Sequence, residues 1–542
     1  MEILTTDLLW ADFDPATEQL DSDVFACRTA DGLLTKKLYF NGSTFPSGHK
    51  TRVYGVVCRP DNQESHKGVL VIGDYKKPVS EGDLAELAKQ GFVTMSVDYA
   101  GAGVNGGLGT IYPDEQKHLY ADRAQGLFYV GNSVKDNKIY EYVKNSRRAI
   151  GYLLEQEGVT EVSVVCVNKG SYIGTIVLGT DTRVARGIVV FGALYREYPL
   201  SEENATDDNL SRRLEEEDVA RAWTMGLAPQ SYVMQIHAPL YVVLSANSKH
   251  VDIVEESKMY YRVNDDSRLL ILPTTADYLP QKYMSGVVGG LNGKTVGDDF
   301  GFESFVDDDG DYCVKLTTDT KIDDCSVWYC VNPSYRARYW ARAKLVQDDG
   351  FCTAKLNTYQ KDCDISAFCL LDGDIAVSSS LLDVKVRNAA NVKLYGNVVF
   401  SGDAEQTIVP LNRGSDWWGK DIDVKLAKGY LGIVGVSGSS FATFGIADTS
   451  VKRSDVFTVS FDVCTDVRQK LTINVVCDYG VTNTVYRCVT KLIGDGKWQR
   501  VTVEAKDFHR VDDNRPMTDD DRADCLELFA ETEIIVNNIM LV

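Results

Sequence analysis

The stretch VSVVCVNKGSYIG (162–174) runs β-favouring residues into a tight turn and then into a helical pattern. A strand–turn–helix of this kind lifts its apex residue above the end of a sheet, where a nucleophile is usually held. The apex here is Asn168. Its amide nitrogen is conjugated with the carbonyl and has no lone pair free to attack, and no base can activate it as histidine activates serine. Two neighbours carry more promising atoms. Ser171 falls in the first helical turn, facing away from the pocket, and is expected to make local hydrogen bonds. Cys166 ends the strand. A reactive thiolate there would need a nearby cation, for which Lys169 is the candidate, whereas a buried strand thiol is the simpler expectation.

The elements that would position these residues follow from the hydrophobic pattern. KGVLVIGDY (67–75), FVTMSVDYAG (92–101), EVSVVCV (161–167), ARGIVVFGA (185–193), APLYVVLSAN (238–247) and SRLLILP (267–273) predict strands. Between them, SEGDLAELAKQG (80–91) predicts a helix with Ser80 as N-cap and Gly91 as stop, and YEYVKNSRRAIGYLLEQEG (140–158) predicts another. Alternating strands and helices imply a parallel sheet covered on both faces, with ligands at the carboxyl ends of the strands. Asp74, Tyr75, Asp98, Tyr99, Lys169 and His250 gather there as pocket candidates, Asp98 either orienting a ligand or supporting a solvent-facing loop. SRRLEEEDVARAW (211–223) predicts a solvated helix with pairs such as Arg212–Glu216. SGVVGGLNGKTVGDD (285–299) is Gly-rich and reads as a linker. Beyond it come short strands broken by Asp, Asn and Gly turns, among them SVWYCVN, LYGNVVF, FTVSFDV and LTINVVCDY, which predict β-sandwich or jelly-roll structure.

Residues 1–285 resemble the α/β-hydrolase superfamily, in its dienelactone hydrolase and acetyl xylan esterase-like branch. The resemblance is carried, in chain order, by VLVIGDYKKPVSEGDLAELAKQGFVTMSVDYAG, TIYPDEQKHLYADR, SRRAIGYLL, VSVVCVNKGSYIG and APLYVVLSANSKH. It implies a G-x-S-x-G elbow, and the aligned residues are Cys166, Val167, Asn168, Lys169 and Gly170, so only the last glycine is kept and Asn168 takes the serine position. Cys166 and Lys169 would then crowd a turn that tolerates little beyond glycine. It also implies an acid in Asn247-Ser248-Lys249-His250, at Ser248, and a base after the last strand, among Ala276, Asp277 and Tyr278 in LPTTADYLP, with Asp277 as the degenerate base position. There is no histidine from 251 to 508. A triad acts as a unit, so with all three members replaced the expected hydrolysis is near background. TIYPDEQKHLYADR would form an active-site loop or a surface lid.

The last part of the chain, through FTVSFDV, DGKWQRVTVEAKDFH and ETEIIVNNIMLV, resembles jelly-roll carbohydrate-binding-like modules. That implies exposed aromatics stacking on sugar rings, with Trp417, Trp418 and Tyr479 as candidates and Trp498 as core. NPSYRARYWARAKLV (332–346) interleaves arginines with aromatics, as interfaces do, and is expected to pack against the hydrolase-like part. VDDDGDY (306–312) places Asp307, Asp309 and Asp311 at calcium-loop spacing, but Thr318 stands where the loop's glutamate belongs, and a solvated acidic turn is the simpler reading. MTDDDRAD (517–524) is read in the same way.

The whole is therefore a multidomain α/β plus all-β chain: an α/β-hydrolase-like doubly wound parallel sheet in 1–285, an Ig-like β-sandwich in 295–385 and a jelly roll in 388–542. Its 542 residues carry a net charge of −21, which argues against nucleic acid or an anionic membrane as partner through the whole surface. The 13 cysteines form no CxxC pair, and the opening MEILTTDLLWADFDPATEQ lacks a basic n-region; reduced thiols and a cytoplasmic location are expected. No cofactor is expected. The function implied is binding, scaffolding or self-assembly by a pseudoenzyme, with a homo-oligomer or another protein as partner. The alternatives are an esterase or acyl hydrolase on a small ester, and a glycan-binding protein acting through the jelly roll.

Overall fold

A computed structural model describes residues 2–61, 67–101, 107–114, 127–155, 159–198, 210–248, 251–275, 279–294, 300–333, 337–348, 350–393, 396–402, 408–411, 418–419, 424–447, 457–518 and 521–542. Nine strands form the first sheet: β1 (Asp23–Ala30), β2 (Leu33–Thr44), β3 (Lys50–Pro60), β4 (Lys67–Ile72), β5 (Val93–Val97), β6 (Glu161–Val167), β7 (Val184–Val190), β8 (Leu240–Asn247) and β9 (Arg268–Thr275). Their order is β1-β2-β3-β5-β4-β6-β7-β8-β9. From β5 to β9 the neighbours are parallel. β1, β2 and β3 are antiparallel to their neighbours, so the sheet is mixed rather than wholly parallel. The reason is connection length. β1 and β2 are joined only by Asp31 and Gly32, both with positive φ (51° and 73°), a two-residue hairpin that permits antiparallel pairing alone.

β8 is buried along its whole length, as a strand inside a two-sided α/β layer must be. Helices Glu81–Ala88, Lys138–Glu155 and Ser171–Thr180 pack on the sheet. Ser80 Oγ accepts the Asp83 N–H at 3.2 Å and so caps the first of them. The helix Leu210–Leu227 is not solvated all round. Trp223 is fully buried, its ring 4.9 Å from Phe128 and its Nε1 donating to Leu127 O at 3.0 Å.

The Gly-rich stretch read as a linker begins instead as a buried helix, Met284–Leu291. Its glycines are there for close approach. A Cβ on Gly286 would lie 2.5 Å from Tyr241 Oη, and one on Gly289 would lie 2.4 Å from Ile375 Cδ1. Two antiparallel sheets of four and five strands follow, between Gly301 and Val386, enclosing a core of their own. A ten-stranded antiparallel assembly spans Val398–Phe400 to Ala523–Leu541, and its last strand pairs along both halves of that layer. All 13 cysteines are free thiols.

The parts are packed together. Trp328, Trp340, Phe368, Leu370, Ile375 and Ala376 belong to the same apolar cluster as the first sheet. Tyr241 Oη donates to Ala376 O at 2.8 Å, and Ser378 Oγ accepts the Ile271 N–H of edge strand β9 at 2.9 Å.

Candidate functional site

At the end of β6 the chain turns through 168–170 into helix Ser171–Thr180. Asn168 has φ +50°, the left-handed region that asparagine tolerates better than most side chains. Gly170 is obligatory, because a Cβ there would lie 2.2 Å from Ile72 O and 2.3 Å from Gly73 O. The turn is thus sharp, with an amide at its apex. The crowding expected from Cys166 does not arise. Its side chain fills the space over Gly174, where a Cβ would come within 2.3 Å of Cys166 Cβ. Cys166 is fully buried and burial pushes its thiol up, away from the thiolate a nucleophile requires. Ser171 is also fully buried. Its Oγ donates to Asn168 O at 2.5 Å and accepts the Ala193 N–H at 2.7 Å, which pins the loop after β7 to the elbow.

The chain leaves β4 toward β5 and leaves β6 toward β7, in opposite directions across the sheet, so a crevice opens at the carboxyl ends of β4 and β6. Val71, Gly73, Asp74, Ser96, Tyr99 and Asn168 help to line a cavity of about 60 Å³ there. That holds a few waters, against the roughly 300–1,000 Å³ of sites for drug-sized ligands. Asn168 Oδ1 is buried and meets no hydrogen-bond donor among the described residues, so the cavity offers one acceptor. Asp74 Oδ1 accepts the Lys76 N–H at 3.0 Å, and Lys169 is half-buried. Tyr75 and Tyr99 are buried in an aromatic cluster, with ring centroids 5.8 and 5.1 Å from Tyr142. Burial raises both phenols, and Tyr99 Oη is hydrogen-bonded to Ser146 Oγ at 2.7 Å. Asp98 is not solvent-facing. It is 1% exposed and braces its loop by accepting the Gly101 and Thr110 N–H groups at 2.9 and 2.8 Å.

The end of β8, where the resemblance puts the acid, is occupied by contacts with the β-rich half. Ser248 Oγ accepts the Val251 N–H at 3.2 Å, a turn-closing bond. Beside it, Asn247 Oδ1 accepts the Arg338 N–H at 3.0 Å, and Asn247 O accepts from Tyr479 Oη at 2.8 Å. Trp340 Nε1 donates to Ala246 O at 3.3 Å, and the buried Arg338 guanidinium lies 3.6 Å from Asp252. Tyr479 is therefore no sugar platform. It is 2% exposed, with its ring edge-on to Phe444 at 4.9 Å. Trp498 is half-buried rather than core. His250, Asp277, Trp417, the Trp418 side chain and most of TIYPDEQKHLYADR lie outside the described residues.

Sequence reasoning missed two of the residues that matter here. Asn247 gave no signal, because its role depends on contacts from 338 and 479. Glu256, on helix Ile253–Tyr260, is fully buried and accepts the Leu194 and Tyr195 N–H groups at 2.7 and 3.1 Å. Burial, reinforced by the nearby Asp252 charge, pushes its carboxyl up to about 8.

The acidic turn at 306–312 is built around an ammonium. Lys355 Nζ lies 2.8 Å from Asp307, 2.7 Å from Asp311 and 3.8 Å from Asp309. Hydrogen bonds from Lys355 hold Asp307 and Asp311 below the usual carboxylate range. In the second acidic cluster, Asp521 accepts from Tyr486 Oη at 2.9 Å and Asp524 accepts the Tyr479 N–H at 2.8 Å. Among the described residues no three His, Cys, Asp or Glu side chains are grouped to hold a metal ion.

No family model matches the chain, and no curated protein matches it by sequence. Among solved structures it is similar to an acetyl xylan esterase from Paenibacillus sp. R4, at 16% identity over 49% of this chain and 86% of that one, with a TM-score of 0.38. It is also similar to acetyl xylan esterase 1 from Thermoanaerobacterium sp. JW/SL YS485, at 11% identity over 51% and 88% of the two chains, with a TM-score of 0.39. A glucuronoyl esterase from Solibacter usitatus aligns at 13% identity over 52% and 88%, with a TM-score of 0.35. Likeness at this level carries no weight by itself. The parallel strands β4 to β9 and the strained turn at Asn168 are what make the N-terminal half α/β-hydrolase-like.

Proposed function

We propose that this chain is a binding or assembly protein built on an α/β-hydrolase-like core that no longer performs serine-hydrolase chemistry. The observation that carries the reading is the elbow itself: its strained backbone is intact, and the residue it presents is an amide. Two further features support it. The cavity above the elbow is small, and the end of β8 is engaged by Arg338, Trp340 and Tyr479. An architecture kept while its chemistry is lost suits a rigid platform for a partner or for a second copy.

The test is p-nitrophenyl acetate turnover and fluorophosphonate labelling of the purified chain, with light scattering on the same sample. Turnover at the buffer background, no labelling, and no gain from Asn168→Ser are expected. Saturable turnover abolished by His250→Ala would overturn the reading in favour of an ester hydrolase. A monodisperse monomer that captures a glycan on an array would move the function to the C-terminal β-domain.

A further inference from the structure

Three loops meet at one end of the C-terminal β-domain. The first is the tip of the hairpin between Lys425–Lys428 and Val434–Thr443, closed by the Gly429 N–H on Ile433 O at 2.8 Å. The second joins Thr458–Cys464 to Lys470–Cys477, and the third joins Thr484–Lys491 to Trp498–Glu504. They are in contact. Trp498 Nε1 donates to Tyr430 O at 2.9 Å, Gly496 N–H donates to Thr465 O at 3.0 Å, and a Cβ on Gly494 would lie 2.3 Å from the Val467 carbonyl carbon.

Large aliphatic side chains are exposed on these loops. Leu431 is 80% exposed and Ile493 is 64% exposed, with Tyr430, Ile433, Val467 and Leu426 exposed around them. Leu431 holds φ +61°, a left-handed conformation disfavoured for a leucine, so the hairpin tip accepts strain where it presents this side chain. Isolated exposed aliphatics are ordinary; several on adjoining loops form a patch that marks an interaction surface.

The charge around the patch says what it faces. Lys425, Lys428, Arg468, Lys470, Lys491 and Lys497 are all exposed on these loops and the strand ends that frame them. None of them is ion-paired among the described residues. Among the described residues four acids, Asp466, Asp495, Glu531 and Glu533, stand against these six cations, while the chain as a whole carries −21. The acidic total charge therefore does not exclude an anionic surface as partner at this end. We propose that the three loops dock on an anionic lipid surface, with Leu431, Ile493 and Val467 entering the acyl boundary and the lysines resting on headgroups. A patch of protruding aliphatic tips inside a basic rim has the composition of an interfacial anchor, with Tyr430 and Trp498 at the depth where amphipathic rings settle. The strongly acidic remainder would be repelled by the same surface, which fixes the orientation.

The test uses the full chain and co-sedimentation with vesicles of phosphatidylcholine alone or mixed with phosphatidylserine, at low and high salt. Binding to the mixed vesicles, weakened by salt and absent from the neutral ones, is expected. Leu431→Ser with Ile493→Ser should lower partitioning by roughly tenfold or more, the effect of withdrawing two aliphatic side chains. Lys428→Glu with Lys497→Glu should abolish the dependence on phosphatidylserine. Met234→Ser, at a 76% exposed residue in the N-terminal half, should change nothing. Unchanged thermal unfolding shows that each variant is folded. Failure to sediment with either vesicle, or binding unaffected by the loop substitutions, would overturn the proposal. So would self-association that the Leu431/Ile493 pair abolishes without any vesicle binding, which would assign the patch to a second copy.

Discussion

Glu256→Gln tests how the buried carboxyl is held. In the folded chain burial pushes Glu256 up to about 8 from an ordinary value near 4.5. The unfolded chain therefore releases this proton near pH 4.5, and the folded chain keeps it until about pH 8. Between those values the folded state binds the extra proton, so stability falls as pH rises and levels off above the folded value. At about 1.4 kcal/mol per pH unit, a gap of about 3.5 pH units amounts to an upper bound of about 5 kcal/mol. Glutamine keeps the shape and an oxygen for the Leu194 N–H but does not titrate. Urea unfolding of both proteins, at about pH 5 and about pH 8.5, isolates the group, because every other titration cancels in the difference. The variant is expected to gain about 3–5 kcal/mol on the wild type between the two conditions. A difference between the two proteins that stays constant with pH would refute the reasoning, since it would mean that Glu256 is ionised in the fold throughout.

Gly170→Ala forces a methyl group against the backbone oxygens of Ile72 and Gly73, which cannot rotate away; a loss of about 3 kcal/mol and a fall in Tm of roughly 6–10 °C are expected in a thermal scan. Tyr479→Phe leaves Asn247 O without its donor but keeps the edge-on ring contact with Phe444; a cost of about 1–3 kcal/mol is expected, with faster hydrogen exchange at 337–343, and unchanged exchange there would mean that the contact does not fasten the two halves. Lys355→Met removes the ammonium from between Asp307 and Asp311. Carboxyl titration by NMR should then show both acids rising toward ordinary values, and wild-type titrations that already look ordinary would refute the pairing.

Much of the N-terminal half was legible because its signals are local. The β-rich runs of β4 to β9 predict themselves, and Ser80 and Gly91 mark the two ends of one helix through their own backbone chemistry. The antiparallel β1–β3 edge was also written in the chain, in the Asp31-Gly32 hairpin signature, although the hydrophobic pattern alone did not point to it. The linker reading went astray over 285–291 because glycine composition does not separate a flexible tether from a helix that needs room. Gly286 and Gly289 act through Tyr241 and Ile375, which are distant in sequence. Tyr479 was misread as a surface aromatic for the same reason, since its burial comes from a contact 232 residues away.

The sequence by itself determined that residue 168, after the β-rich run, carries an amide and that no histidine follows between 251 and 508, because residue identity decides whether a side chain can attack or accept a proton. Only the tertiary structure decided that the turn at Asn168 is left-handed, that Cys166 is buried with its thiol pushed up, that Lys355 fills the acidic turn and that the end of β8 is an internal interface. Each of these depends on which distant atoms share a few ångströms of space, and burial, pairing and desolvation are properties of that neighbourhood rather than of the residue.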